Sequence, residues 1–167
     1  EAMVERLTKD LKVERIAILF QDDAFGRAGL AGARRAMDKR AMKLVAESAF
    51  ERNTLAVKRA LLEIRRAEPQ AVIMVGPYKP MAEFIKRARQ IKFDATFVNI
   101  SFVGSEALAQ EVGPAGDGVV VTQVVPFPWD KTKPLVTRYQ AALKAVDAKA
   151  QPGFVSLEGY MVGRLVV

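Results

Sequence analysis

Arg15-Ile16-Ala17-Ile18-Leu19-Phe20 is a short apolar run, ended by the polar stretch Gln21-Asp22-Asp23. Four later stretches share its character: Lys43 to Phe50, Ala71 to Val75 closed by Gly76-Pro77, Thr96 to Ile100, and Gly118 to Thr122. Nearly continuous β-branched runs of this length suit strands buried on both faces. Helical stripes lie between them. Leu30, Ala33 and Met37 follow the first run; Val57, Ala60, Leu61 and Ile64 share one helical face, and Met81, Phe84, Ile85 and Ala88 repeat that spacing. Charged side chains fill the opposite faces. Asn53 or Thr54 can cap the second helix, and Pro69 stops it. The alternation predicts a doubly wound, Rossmann-like α/β fold, with helices on both faces of a parallel five-stranded sheet.

Composition narrows the chemistry. The chain has 167 residues, no cysteine, no histidine, and 26 basic against 19 acidic side chains, a net +7. Without Cys there is no disulfide framework, thiol nucleophile or zinc knuckle. Without His there is no Ser-His-Asp triad. A metal site would need oxygen ligands alone, so neither a metal nor a cofactor is expected, and enzymatic chemistry is disfavoured. No apolar run approaches the ~18 residues that would suggest a membrane-spanning helix. The opening Glu1-Ala2-Met3 shows no signal peptide, which suits either a cytosolic protein or one whose leader was removed.

The character changes after Thr122. Val124-Val125-Pro126-Phe127-Pro128-Trp129 holds two prolines within three residues, which cannot continue an interior strand. Leu135, Tyr139, Ala142, Leu143 and Val146 then form an amphipathic stripe, broken by Gln151-Pro152-Gly153. The last stretch, Ser156 to Val167, is mostly apolar and ends without a cap. The expected division is therefore 1–125 and 126–167, in a chain that reads as truncated.

Open α/β sheets hold ligands at the carboxyl ends of their strands, where four loops qualify. In the first, Asp22 or Asp23 is expected to cap the next helix. Gly26 and Gly29 meet neither the dinucleotide nor the phosphate-loop pattern. A phosphoacceptor receiver domain is disfavoured, because Gly76 stands where its acidic acceptor belongs. Tyr78, in the second loop, either stacks on ligand or covers the next helix. In the third, Ser101 can donate to a carboxylate, while Ser105 is expected to cap a short helix. Phe127 and Trp129, in the fourth, favour packing over a role as ligand wall.

Taken in order, these segments carry a resemblance. Ile16 to Gly29, Gly76-Pro77-Tyr78, Phe102-Val103-Gly104-Ser105 and Gly118 to Pro126 resemble type I periplasmic solute-binding proteins, in particular the branched-chain amino acid group of ABC importers. The resemblance implies two α/β lobes joined by hinge crossings, with a small molecule closed between them and the closed form recognised by a membrane permease. This chain would be the second lobe, 1–125, with 126–167 returning to the absent first one, and its location periplasmic after leader removal. Phe25 then matches an aromatic leaning over the ligand, beside Asp23, and Tyr78 a second aromatic. Ser101 and Phe102 lie where amino-acid binders place an acid against the ligand's ammonium. No Asp or Glu occurs between Ala95 and Ser105, and a buried ammonium without an anion is costly. A hydrophobic or aromatic carboxylate is thus as well suited as an amino acid. The unpartnered apolar faces of residues 126–167 would favour a homodimer of this fragment.

Two rival readings differ in kind. A basic protein can bind nucleic acid, but the cations here are interleaved with Glu47, Glu51, Glu63, Glu68 and Glu83, so no nucleic-acid partner is expected. The same fold also serves as the ligand-sensing domain of receptors and transcriptional regulators.

Overall fold

Alternating apolar runs and amphipathic stripes produce the expected sheet. The computed structural model describes residues 1–166; Val167, the last residue of the expected tail, lies outside them. Two units divide the chain, Glu1–Thr122 and Gln123 onward.

The first unit opens with α1 (Ala2–Glu5), continued by a π-helical turn, Arg6–Asp10. Five parallel strands follow: β1 (Ile16–Gln21), β2 (Ala46–Phe50), β3 (Ala71–Val75), β4 (Thr96–Asn99) and β5 (Val120–Val121). Helices α2 (Ala24–Asp38), α3 (Lys58–Arg66), α4 (Tyr78–Gln90) and α5 (Ser105–Val112) connect them in turn. The strand order is β2-β1-β3-β4-β5. It reverses direction between β1 and β3, and in such sheets that crevice is the ligand position.

Two hydrophobic clusters cover the sheet, one on each face. Ala17, Leu19, Val72, Met74 and Phe97 pack with α3, α4 and α5 residues such as Leu61, Phe84 and Leu108. Ile16, Ile18, Ile73, Val75 and Val98 pack with α1 and α2 residues such as Val4, Leu30 and Met37. Strands β1 and β3 are buried along their whole length, whereas edge strand β2 alternates. Ser48 and Phe50 of β2 are buried, with Glu47 and Ala49 exposed, and the Ser48 hydroxyl donates to Glu63 at 2.6 Å.

Three local expectations need correction. Neither Asn53 nor Thr54 caps α3; the helix begins behind Val57, with no side-chain cap. Thr54 instead closes the preceding turn, its hydroxyl donating to the Glu51 carbonyl and accepting from the Ala56 N–H. Ser105 is the first residue of α5, whose N-cap is Gly104. In the fifth run only Val120 and Val121 form the strand, which follows Gly118 at φ 74°, and Thr122 adds one hydrogen bond from its N–H to the Asn99 carbonyl.

Part of the basic helix surface is matched by acids. Arg34 pairs with Glu47, Arg59 with Glu63, Arg87 with Glu83 and Lys86 with Glu111. Surface pairs of this kind contribute little stability, but they break up the positive surface.

The second unit contains α6 (Pro134–Val146) and α7 (Phe154–Val166). Its small core is Val136, Tyr139 and Leu157. Tyr139 is tied in by a closed polar loop: the Gly153 N–H donates to Oη at 2.9 Å, Oη lies 2.5 Å from Ser156 Oγ, and that hydroxyl donates to the Gly153 carbonyl. Phe127, Trp129 and Phe154 form a mutually touching ring trio, with Trp129 edge-on to Phe154 at 5.5 Å. No described helix is long and apolar enough to cross a membrane.

Candidate ligand-binding edge of the sheet

All five strands point the same way, so the loops after them gather along one edge. The β1–α2 loop is held by Asp23. Its Oδ1 accepts from the Gly26 N–H at 2.9 Å, which caps α2, and its Oδ2 accepts from the Gln21 amide at 2.6 Å. The Gly26 N–H holds the Asp23 carboxyl below the ordinary aspartate range; Gln21 and Arg52, the latter 3.8 Å away, act the same way against partial burial. Asp22 pairs with Arg27 at 2.5 Å. Both carboxylates of this loop are therefore engaged within the protein.

Phe25, on the first turn of α2, meets Phe102 from the turn after β4, their ring centroids 4.6 Å apart and tilted by 48°. Both rings reach solvent, Phe25 at 36% and Phe102 at 64% exposure. Large exposed apolar rings that touch one another at a strand-end edge offer a stacking surface. Gly76 and Pro77 turn the chain from β3 into α4. A side chain at Gly76 would stand 2.9 Å from both Met81 and Phe50, so glycine is what lets the turn sit so low. Tyr78 begins α4, half-buried against the cluster on the α3–α5 face. Ser101 opens the 3-10 turn Ser101–Val103 and is half-buried.

The structure thus brings Phe25 and Phe102 together, gives Asp23 a capping role, and sets Tyr78 and Ser101 on the neighbouring loops. Phe127 and Trp129 belong to the second unit's aromatic trio. Sequence reasoning did not single out Arg52, which approaches Asp23 from the loop after β2, or Asn99, the last residue of β4. Asn99 is fully buried, and neither its side-chain nitrogen nor its oxygen has a hydrogen-bond partner among the described residues. Its one sequence signal is an amide ending an otherwise apolar run.

A polar cavity of about 620 Å³ opens at the opposite, amino ends of β3 to β5, between Gln70, Arg89, Asp94 and Asp117. Arg89 there is already engaged, donating to Asp94 and the Asp117 carbonyl while lying over the Phe97 ring. No group of three or more potential metal-binding side chains occurs among the described residues.

The family model described as periplasmic binding protein matches residues 1–167. The chain belongs to the periplasmic binding protein family, which places it outside the cytoplasm. Among solved structures, a possible leucine/isoleucine/valine-binding protein from Rhodopirellula baltica SH 1 is 36% identical with a TM-score of 0.90, over 98% of this chain and 46% of that one. A substrate-binding periplasmic protein from Ralstonia solanacearum is 27% identical with a TM-score of 0.84, over 95% and 45%. An extracellular ligand-binding receptor from Verminephrobacter eiseniae ef01-2 follows at 26% and 0.82, over 97% and 47%. The chain therefore spans about half the length of the structures it matches, and its fold is that of one lobe of such proteins. Among curated proteins, sequence comparison finds no relative. The family and these solved neighbours are binding proteins, not enzymes.

Proposed function

We propose that this chain is the second lobe of a two-lobe solute-binding protein serving an ABC importer, with the signal peptide removed after export. The bound solute is a small hydrophobic or aromatic carboxylate, with or without an α-amino group. The observation that carries this reading is the exposed Phe25–Phe102 pair at the carboxyl edge of a β2-β1-β3-β4-β5 sheet. Asp23, Tyr78 and Ser101 frame it from the same edge. Residues 126–167 supply the hinge crossing and helices that return to the other lobe. Ligand shifts the population toward the closed form by its differential affinity, and the permease reads that form.

The likeness to a possible leucine/isoleucine/valine-binding protein from Rhodopirellula favours branched-chain amino acids. Engagement of both Asp22 and Asp23 favours acids without the amine, since this edge then offers an ammonium little anionic support. A thermal-shift comparison on the complete protein, using leucine beside 4-methylvalerate and phenylalanine beside 3-phenylpropionate, separates the two. A compound that binds only the folded state at 100 times its Kd stabilises by about 2.7 kcal/mol. Phe102→Ala is expected to weaken the best binder roughly tenfold, from lost ring contact and apolar area. Silence across a broad panel of acids and amino acids overturns the proposal.

Expressed by itself, the chain is expected to pair through residues 126–167, because Val146, Val155, Val162 and Leu165 are exposed and such surfaces favour burial. Sedimentation at micromolar concentration checks this, and a monomeric mass overturns it.

A further inference from the structure

A fully buried amide with no partner is a cost the fold carries for a reason outside its own packing. Asn99 is 0% exposed, yet both side-chain polar atoms are without hydrogen bonds among the described residues. Its backbone is well used, with the carbonyl accepting from the Thr122 N–H at 2.9 Å. The side chain alone is stranded. Buried polar atoms are nearly always paired, and exceptions concentrate where function demands them.

Its placement says which function. Asn99 ends β4, in register with Met74 of β3 and Val121 of β5, at the edge where this fold holds ligand. Strand alternation puts it on the same face as Phe97. Directly after it come Ile100 and the Ser101–Val103 turn that bears Phe102. That turn is tied to β3 only loosely at its start, since the Ile100 N–H reaches the Met74 carbonyl at 3.4 Å. It ends on Gly104 at φ 76°, a conformation that glycine adopts freely.

We infer that Asn99 is a ligand-reading residue whose amide is satisfied only in the bound state, by a polar atom of the solute or by a water that enters with it. The inference rests on the solute-binding reading above and adds to it a polar contact at the end of β4, next to the turn that bears Phe102. Binding would then couple recognition to movement of the Ser101–Val103 turn, because Asn99 gains its partner only when that turn shifts.

Asn99→Leu, close to asparagine in shape and free of polar atoms, tests this in the complete protein. Removing a stranded amide from the unliganded state is expected to raise Tm by several degrees. Affinity for whichever member of the leucine, 4-methylvalerate, phenylalanine and 3-phenylpropionate panel binds the unmodified protein should fall about tenfold, one hydrogen bond's worth. A lower Tm in a folded variant overturns the inference, since the amide then has a structural partner. A higher Tm with unchanged affinity overturns it too, while leaving the solute-binding reading intact. Absence of binding by the unmodified protein to every compound overturns both. Should the variant not fold, the side-chain amide resonance of Asn99 in the unmodified protein decides. It should shift and gain exchange protection on saturation with the binding compound, and an unmoved resonance overturns the inference.

Discussion

Gly26→Ala is expected to destabilise the first unit by about 3–5 kcal/mol, among the largest effects of any single substitution. A Cβ at this position would stand 1.8 Å from the Gln21 carbonyl oxygen, 2.7 Å from its carbon and 2.9 Å from its nitrogen. All three are backbone atoms at the end of the interior strand β1, so no flexible side chain can yield. The helix must lift away, and with it goes the hydrogen bond from the Gly26 N–H to Asp23 that caps α2. Denaturant unfolding measures the loss. Gly32, on the exposed face of the same helix, has open space around its Cβ position. Alanine there should stabilise by about 0.5–1 kcal/mol, as in any exposed helix interior. Equal effects at the two positions would show that the close approach of α2 to β1 is not what constrains Gly26.

The second large effect is expected at Tyr139. It is almost wholly buried, with Val136 and Leu157 the other buried members of its core among the described residues, and its hydroxyl closes the loop with Gly153 and Ser156. Tyr139→Ala should cost about 3–5 kcal/mol, as buried aromatic truncations do. So small a unit has little margin to absorb it. Hydrogen exchange should therefore show α6 and α7 losing protection while β1 and β3 amides keep theirs. Tyr139→Phe keeps the ring and removes only the hydroxyl, so a smaller loss of about 1–2 kcal/mol is expected. Undiminished protection of α6 in the alanine variant would refute the assignment of this core.

The sheet was legible because its strands announce themselves. Ile16 to Phe20 and Ala71 to Val75 are apolar throughout, as strands buried on both faces must be, and the helical stripes between them leave few alternatives. Legibility faded at the sheet's margins. Lys43 to Val45 read as the start of β2, but this edge strand begins at Ala46, with Lys43 exposed and unable to continue a buried run. The start of α3 was misplaced for a related reason: Val57 is fully buried, and its burial, not a polar cap, sets where the helix begins. At the ligand edge, Asp23 was readable as a cap because that role is local. The meeting of Phe25 with Phe102 depends on β1 and β4 lying two strands apart, and the isolation of Asn99 depends on everything around it. Neither is encoded in spacing.

Trp129, packed edge-on to Phe154, is the single tryptophan of the chain, and it belongs to the second unit; the first has only Tyr78 among the phenol and indole chromophores. Red-edge fluorescence excitation therefore sees the second unit alone, while the far-ultraviolet dichroism is dominated by the sheet and helices of the first. Two optical signals from one unmodified sample thus report separately on two parts of one polypeptide. Coincident unfolding curves would mean that the units melt as a single cooperative system, and separated curves that each holds its structure on its own terms.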